Sequence, residues 1–216
     1  MVDKLGSWYN DLKSITTTTY FNSLRLYLKN ESLQYGIYPY KNDIFKAFIL
    51  TPVDKVKVVI IGQDPYFNGS ATGLAFANLK LPLSPSLINI IKEIRTDIYD
   101  NKNVKIEPDL EHWAKNGVLL LNSALTVRRN DAGSHILAWK SFTTRVLEIL
   151  QNDPTIIYLL WGKYAESFIP YIKNKSNILI AGHPSPLNIT NPFKGCKHFS
   201  TTNEMLVNMK KSIIKW

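Results

Sequence analysis

Short runs of apolar residues punctuate this chain, and each ends abruptly on a polar side chain or a breaker. Val58–Ile61 stops at Gly62-Gln63-Asp64-Pro65-Tyr66, and Val118–Leu121 stops at Asn122. Thr155–Leu160 stops at Trp161-Gly162, and Ile178–Ala181 stops at Gly182-His183-Pro184-Ser185-Pro186-Leu187. Runs of this length, rich in branched residues and bounded by Gly or Pro, predict buried strands. Between them the apolar positions fall at helical spacing. Leu87, Ile90, Ile91 and Ile94 follow the breakers Pro82, Ser84 and Pro85; Trp113 faces inward from 109–115; Phe142, Val146 and Leu150 mark 138–150; further helices are predicted over 164–172 and 200–209. Upstream, residues 1–40 predict helices interrupted around Thr16–Thr19, with Leu24, Tyr27 and Leu28 on one face and Gly36–Pro39 as the stop. Asn42 or Asp43 is placed to cap a short helix running through Leu50, which Pro52 ends.

Strands alternating with helices predict an α/β fold built on a parallel sheet flanked by helices. With no internal repeat, linker or low-complexity stretch, one domain is expected over residues 1–216, with 1–44 as a helical segment packed on it. Ligands of open α/β sheets bind beyond the carboxyl ends of the strands. If the strands are parallel and adjacent, Asp64, Asn122, the Trp161-Gly162 turn and His183 converge there. Each has an ordinary reading alone: a turn Asp before Pro, a capping Asn, a core His. Their coincidence at strand ends is what points to a site. Ser86 lies near the start of a predicted helix, where free amides favour a phosphate, although capping by Ser84 or Ser86 fits the spacing equally well.

Charge narrows the partners. Lys and Arg number 26 against 17 acidic residues, a net charge of +9, which favours an anionic partner and nucleic acid first. A composition rich in Lys, Asn and Ile, as from an AT-rich genome, accounts for part of that excess. The single cysteine, Cys196, allows no disulfide within the chain and fits a reducing compartment. The first residues lack the apolar core of a signal peptide, and no apolar run approaches a bilayer's thickness, so a soluble intracellular protein with no membrane association is expected. His112, His135, His183 and His198 show no close pairing, which argues against a metal site. Neither a GxxxxGK[ST] phosphate loop nor a GxSxG elbow is present.

The segments GQDPY (62–66), GLAF (73–76), PSLINI (85–90), GVLLLNSALTV (117–127), LLWGKYA (159–165), HPSPL (183–187) and CKHFSTTN (196–203), with the final Trp216, resemble family 1 uracil-DNA glycosylases in order and spacing. The resemblance runs from about residue 45 to the C-terminus. It implies a four-stranded parallel sheet and metal-independent, cofactor-free excision of uracil from single- and double-stranded DNA by a monomer. It also implies roles. Asp64 stabilises the sugar cation and orients or deprotonates the attacking water; His183 donates to uracil O2 as a neutral imidazole, helped by the Gln63 backbone amide. Phe76 stacks on the base, Asn122 reads its edge, and Tyr66 excludes the methyl group of thymine. Ser86, Gly162 and Ser185 hold phosphates, and Leu187 is the wedge between bases. Some members of the family are blocked by acidic proteins that imitate DNA, and a basic groove here would accept one. The expected compartment is the bacterial cytoplasm, or the host nucleus for a viral protein.

Two positions depart from the family pattern. Phe67 stands where His is usual and cannot donate to a phosphate, and the loop after it, 68–72, is one residue shorter. Asn191 stands where an Arg is common, so Lys194 and Lys197 are expected to carry more of the DNA contact. A non-enzymatic DNA-binding module on the same fold is the alternative reading; the full set of matched catalytic side chains argues against it.

Overall fold

The computed structural model describes residues 5–188 and 192–216. At its centre is a four-stranded parallel sheet. After a short β1 (Ile37–Tyr38) come β2 (Val58–Gly62), β3 (Val118–Asn122), β4 (Val127–Arg128), β5 (Ile157–Trp161) and β6 (Ile178–Ala181), and the sheet runs β3-β2-β5-β6. All residues of β2, β3 and β5 are buried. That is why they read as unbroken apolar runs: a parallel strand covered on both faces has no solvent side to mark with polar residues. At the edge, β6 leaves Ile180 49% exposed. Gly62 pairs with Asn122, and Trp161 with Ala181, so the loops leaving these strands start level with one another.

The helices depart from the sequence reading at their ends. α1 (Tyr9–Thr16) and α2 (Thr19–Gln34) are separated where the threonines predicted a break, and the Thr18 hydroxyl caps α2 by accepting from Phe21 N–H. α3 (Lys46–Leu50) starts late, and neither Asn42 nor Asp43 caps it; the Asp43 carbonyl instead accepts from Lys46 N–H at 3.0 Å. α4 (Pro85–Ile98), α5 (Glu111–Lys115) and α6 (Ile136–Leu150) lie close to their expected spans. The predicted helix over 164–172 is in fact α7 (Lys163–Glu166) followed by a 3-10 turn, Ile169–Tyr171. Pro170 lacks the N–H needed to continue an α-helix. α8 (His198–Asn208) completes the order. β1 and β4 pair antiparallel in a ribbon that the sequence did not signal.

The N-terminal segment is tied to the sheet layers by polar bonds over long sequence distance. Trp8 Nε1 donates to the Thr51 carbonyl at 2.9 Å, and Tyr20 OH donates to the Ala138 carbonyl at 2.6 Å. Among the described residues no helix is long and apolar enough to cross a membrane.

Candidate active site

The β2 and β3 ends form one half of the site. A Cβ built on Gly62 would lie 2.3 Å from Asn122 Oδ1 and 3.0 Å from the Ala75 Cβ. Only glycine leaves room for the Asn122 amide to lie against the neighbouring strand, and that close fit restricts its rotation. The turn beyond is fixed by Ser123. Its Oγ donates to the Gln63 carbonyl at 2.8 Å, its N–H donates to the Gly62 carbonyl at 2.9 Å, and Ala124 N–H also reaches Gln63 O. With the Ser123 proton so committed, Tyr164 OH donates to Ser123 Oγ at 2.6 Å.

Asp64 is half-buried, and its carboxylate accepts from Gly133 N–H at Oδ2 (2.5 Å) and from Gln63 Nε2 at Oδ1 (3.2 Å). Burial raises its pKa above 3.8, and the Gly133 and Gln63 bonds only partly oppose that. Gly133 is delivered by a braced turn. His135, fully buried, stands 2.8 Å by Nδ1 from Thr126 Oγ1, which accepts from Trp139 Nε1 at 2.7 Å. The Glu31 carboxylate on α2 only accepts, so His135 Nε2 carries a proton and donates to it at 3.2 Å. In the neutral ring Nδ1 then accepts the Thr126 hydroxyl proton. Glu31 also accepts from Arg128 Nε at 2.7 Å and Nη2 at 3.0 Å, and the Arg128 bonds draw its pKa below 4.5. Burial lowers the pKa of His135 below 6.5. The sequence reading assigned nothing to Glu31, Gly133 or His135. The only local signal was a Gly-Ser-His turn before a helix.

The β5 and β6 ends form the other half. Ser185 N–H donates to His183 Nδ1 at 3.0 Å. An imidazole accepting at Nδ1 is neutral and carries its proton on Nε2. Burial lowers its pKa below 6.5 and favours the same state. Gly162 has φ +87, and a Cβ there would come within 2.8 Å of the His183 Cβ. Phe76 lies 6.0 Å from the His183 ring and 5.4 Å from Trp161, measured between centroids. Its φ of 65° is left-handed. That costs about 1–3 kcal/mol for a residue with a Cβ, and such strain clusters at functional sites. Tyr66 OH bonds Ser84 Oγ at 2.6 Å, and burial raises its pKa above 10.0. Ser84 is the N-cap of α4, accepting from Leu87 N–H, so Ser86 falls at the second helical position.

The remaining candidates lie on the adjoining surface. Leu187 is 90% exposed, with its N–H donated to Ser185 Oγ at 3.3 Å. Gly162, Lys163, His183, Ser185 and Leu187 share a cavity of about 380 Å³. Phe67 is 42% exposed, and its carbonyl accepts from Asn130 N–H in the same turn that supplies Gly133. Asn191 lies outside the described residues. The contacts thus run unbroken from Asn122 through Gly62 and Ala75 to Phe76 and His183. Gln63 and Asp64 stand at one end, and Ser185 and Leu187 at the other. A carboxylate, a neutral N–H donor, an aromatic face and a restrained amide suit cleavage of a bond that leaves one fragment cationic and the other anionic.

Residues 48–207 match the model of the uracil DNA glycosylase superfamily. The chain is 42% identical to a uracil-DNA glycosylase of Psychromonas ingrahamii over 97% of this chain and 100% of that protein. It is 44% identical to uracil-DNA glycosylase 2 of Bacteroides fragilis over 97% of each. Among solved structures it is similar to mimivirus uracil-DNA glycosylase, with a TM-score of 0.89 and 27% identity over 100% of this chain and 89% of that one. A variant of the mimivirus protein in complex with UGI matches with a TM-score of 0.88 and 27% identity.

Proposed function

We propose, for a chain that belongs to the uracil DNA glycosylase superfamily, a division of labour along that line of contacts. The enzyme excises uracil from DNA, hydrolysing the N-glycosidic bond of a flipped-out deoxyuridine and leaving an abasic site that opens base excision repair. Leu187 enters the stack as the base leaves it, at a cost of a few kcal/mol. Ser86, Gly162 and Ser185 hold the backbone phosphates. Phe76 stacks on the extruded uracil, Asn122 accepts from N3–H and donates to O4, and Tyr66 closes the space where thymine carries its methyl group. Cytosine presents the opposite hydrogen-bond pattern, and each mispaired buried group costs about 1–3 kcal/mol.

As the bond lengthens, the sugar gains positive charge and uracil O2 gains negative charge. Asp64 faces the sugar, and it orients the water that completes hydrolysis. His183 Nε2–H and the Gln63 backbone N–H face O2. The observation that carries this assignment is the Ser185 N–H on His183 Nδ1. It makes the other ring nitrogen a donor without making the ring a cation, and a donor fixed beforehand loses nothing to reorganisation.

The same reading takes residues 1–216 as one monomeric unit acting on single- and double-stranded DNA. Its place would be the cytoplasm of a bacterium or the nucleus of a virus-infected host. The net charge of +9 suits an acidic inhibitor that imitates DNA, and the UGI complexes of the mimivirus protein support that partner. The test is incubation with a uracil-containing single-stranded oligonucleotide in EDTA, followed by alkali. Strand cleavage at uracil is expected. Binding without cleavage would return the chain to the class of DNA-binding modules.

A further inference from the structure

Asn89, Glu93 and Asp97 sit four residues apart on α4, one above another on a single face. Between them they hold the two limbs of chain on either side of residues 189–191, Asn89 the first limb and Glu93 and Asp97 the second. Asn89 Nδ2 donates to the Pro184 carbonyl at 2.8 Å. Glu93 accepts from Gly195 N–H at 2.6 Å and from Lys197 N–H at 3.1 Å. Asp97 accepts from Ser200 N–H at 2.8 Å and from its hydroxyl at 2.6 Å. The first limb carries His183, Ser185 and Leu187; the second leads into α8.

Glu93 is 3% exposed. A buried carboxylate is retained only where its oxygens are satisfied, and here backbone amides satisfy them. Those amides converge because Gly195 has φ 82 and Lys197 has φ 54. Left-handed backbone at a lysine persists only where its surroundings hold it. Packing alone does not fix the spacing between helix and limbs. A cavity of about 340 Å³ separates them, lined by Asn89, Glu93, His183, Pro184 and Phe193 among others.

We propose that this polar stripe on α4 sets the stance of Leu187 toward DNA, with Asn89 on the limb that carries Leu187 and Glu93 on the limb that follows it as positioning residues for base flipping that touch neither substrate nor the reacting atoms. The inference rests on the reading of Leu187 as the wedge. The same helix whose N-terminus presents Ser86 to a phosphate thereby holds the wedge at a fixed distance from it. An extruded base needs no wedge, so the effect belongs to duplex substrates.

Glu93→Gln keeps the shape but turns an NH2 group toward one of the two amides. Excision is measured under single-turnover conditions on single-stranded and duplex uracil oligonucleotides, for this variant, for Leu187→Ala and for the double variant. Asn89→Ala, which removes no buried charge, is the companion should Glu93→Gln fail to fold. The expected result is about a tenfold loss of kcat/KM on duplex, the effect of a buried acceptor mispaired, with single-strand excision within about twofold of wild type, and no further duplex loss when Glu93→Gln is added to Leu187→Ala. Asn89→Ala should show the same pattern, smaller. Equal losses on both substrates, or additive losses in the double variant, would overturn the brace. Unchanged duplex excision by Leu187→Ala would instead overturn the wedge reading beneath it.

Discussion

The loop after β2 and the loop after β6 leave the same end of one sheet and solve opposite problems. Gln63 and Asp64 must keep a negative charge at a fixed point in a half-buried place, and every neighbour serves that: Ser123 pins the Gln63 carbonyl, and Gly133 donates to the carboxylate. The β6 loop must keep a leucine in water, 90% exposed, with nothing apolar to hold it. Its order comes from main-chain and side-chain polar bonds inside the loop and from α4. A charge is positioned by what surrounds it; a wedge is positioned from behind.

That contrast is open to direct attack. The largest effect is expected from Asp64→Asn, about 10²- to 10³-fold in the rate of excision, the scale of losing a charge-stabilising or water-orienting group. The loss should be the same on single-stranded and duplex DNA, because the chemistry follows extrusion. Leu187→Ala should separate the two substrates, with about a tenfold fall on duplex and near wild-type rates on single strands. About 1.4 kcal/mol of the unstacking cost corresponds to that factor. An Asp64→Asn defect confined to duplex, or a Leu187→Ala defect on both, would erase the distinction.

A smaller effect concerns Phe67, which sits between the two regimes, exposed on the turn that buries Asp64. Phe67→His restores a donor, and about a two- to tenfold gain in kcat/KM is expected, the worth of one hydrogen bond. Unchanged kinetics would contradict the reading that Phe67 costs the enzyme a phosphate contact.

The subtlest effect is on stability. The carboxyl pKa of Asp64 is raised on folding, so the native state binds more protons than the unfolded state as pH passes upward from 3.8. Stability falls across that window and stays reduced above it. Asp64→Asn should therefore melt at a higher temperature than wild type at pH 7, and the gap should close as pH falls toward 4. A variant that melts lower at neutral pH would mean that the Gly133 and Gln63 bonds outweigh the cost of burial.

The strands and their polar ends were legible because buried parallel strands leave little room for anything but apolar residues, and because Gly62, Asn122, Gly162 and His183 interrupt them abruptly. The order of the sheet, with β2 and β5 central, follows from pairing that no local pattern encodes. The ribbon of β1 and β4 has two residues per strand, too few for alternation to register. The predicted cap at Asn42 or Asp43 failed because backbone carbonyls can serve a short helix as well as side chains. Glu31 gave no signal at all. On α2 it looks like any surface glutamate, and its partners Arg128 and His135 are 97 and 104 residues away.

That last contact redraws the edge of the catalytic machinery. The family match opens at residue 48, downstream of α2. A recombinant fragment trimmed to 48–207 would keep every side chain of the proposed reaction, yet it would leave a sequestered imidazole facing no carboxylate and release the two bonds of Arg128 to Glu31. The turn that hands an amide to Asp64 would lose its floor. The relatives match over 97% of this chain, so similarity reaches well upstream of that family match; a 48–207 fragment is expected to excise uracil far more slowly than residues 1–216, and equal rates would show that the glutamate is dispensable.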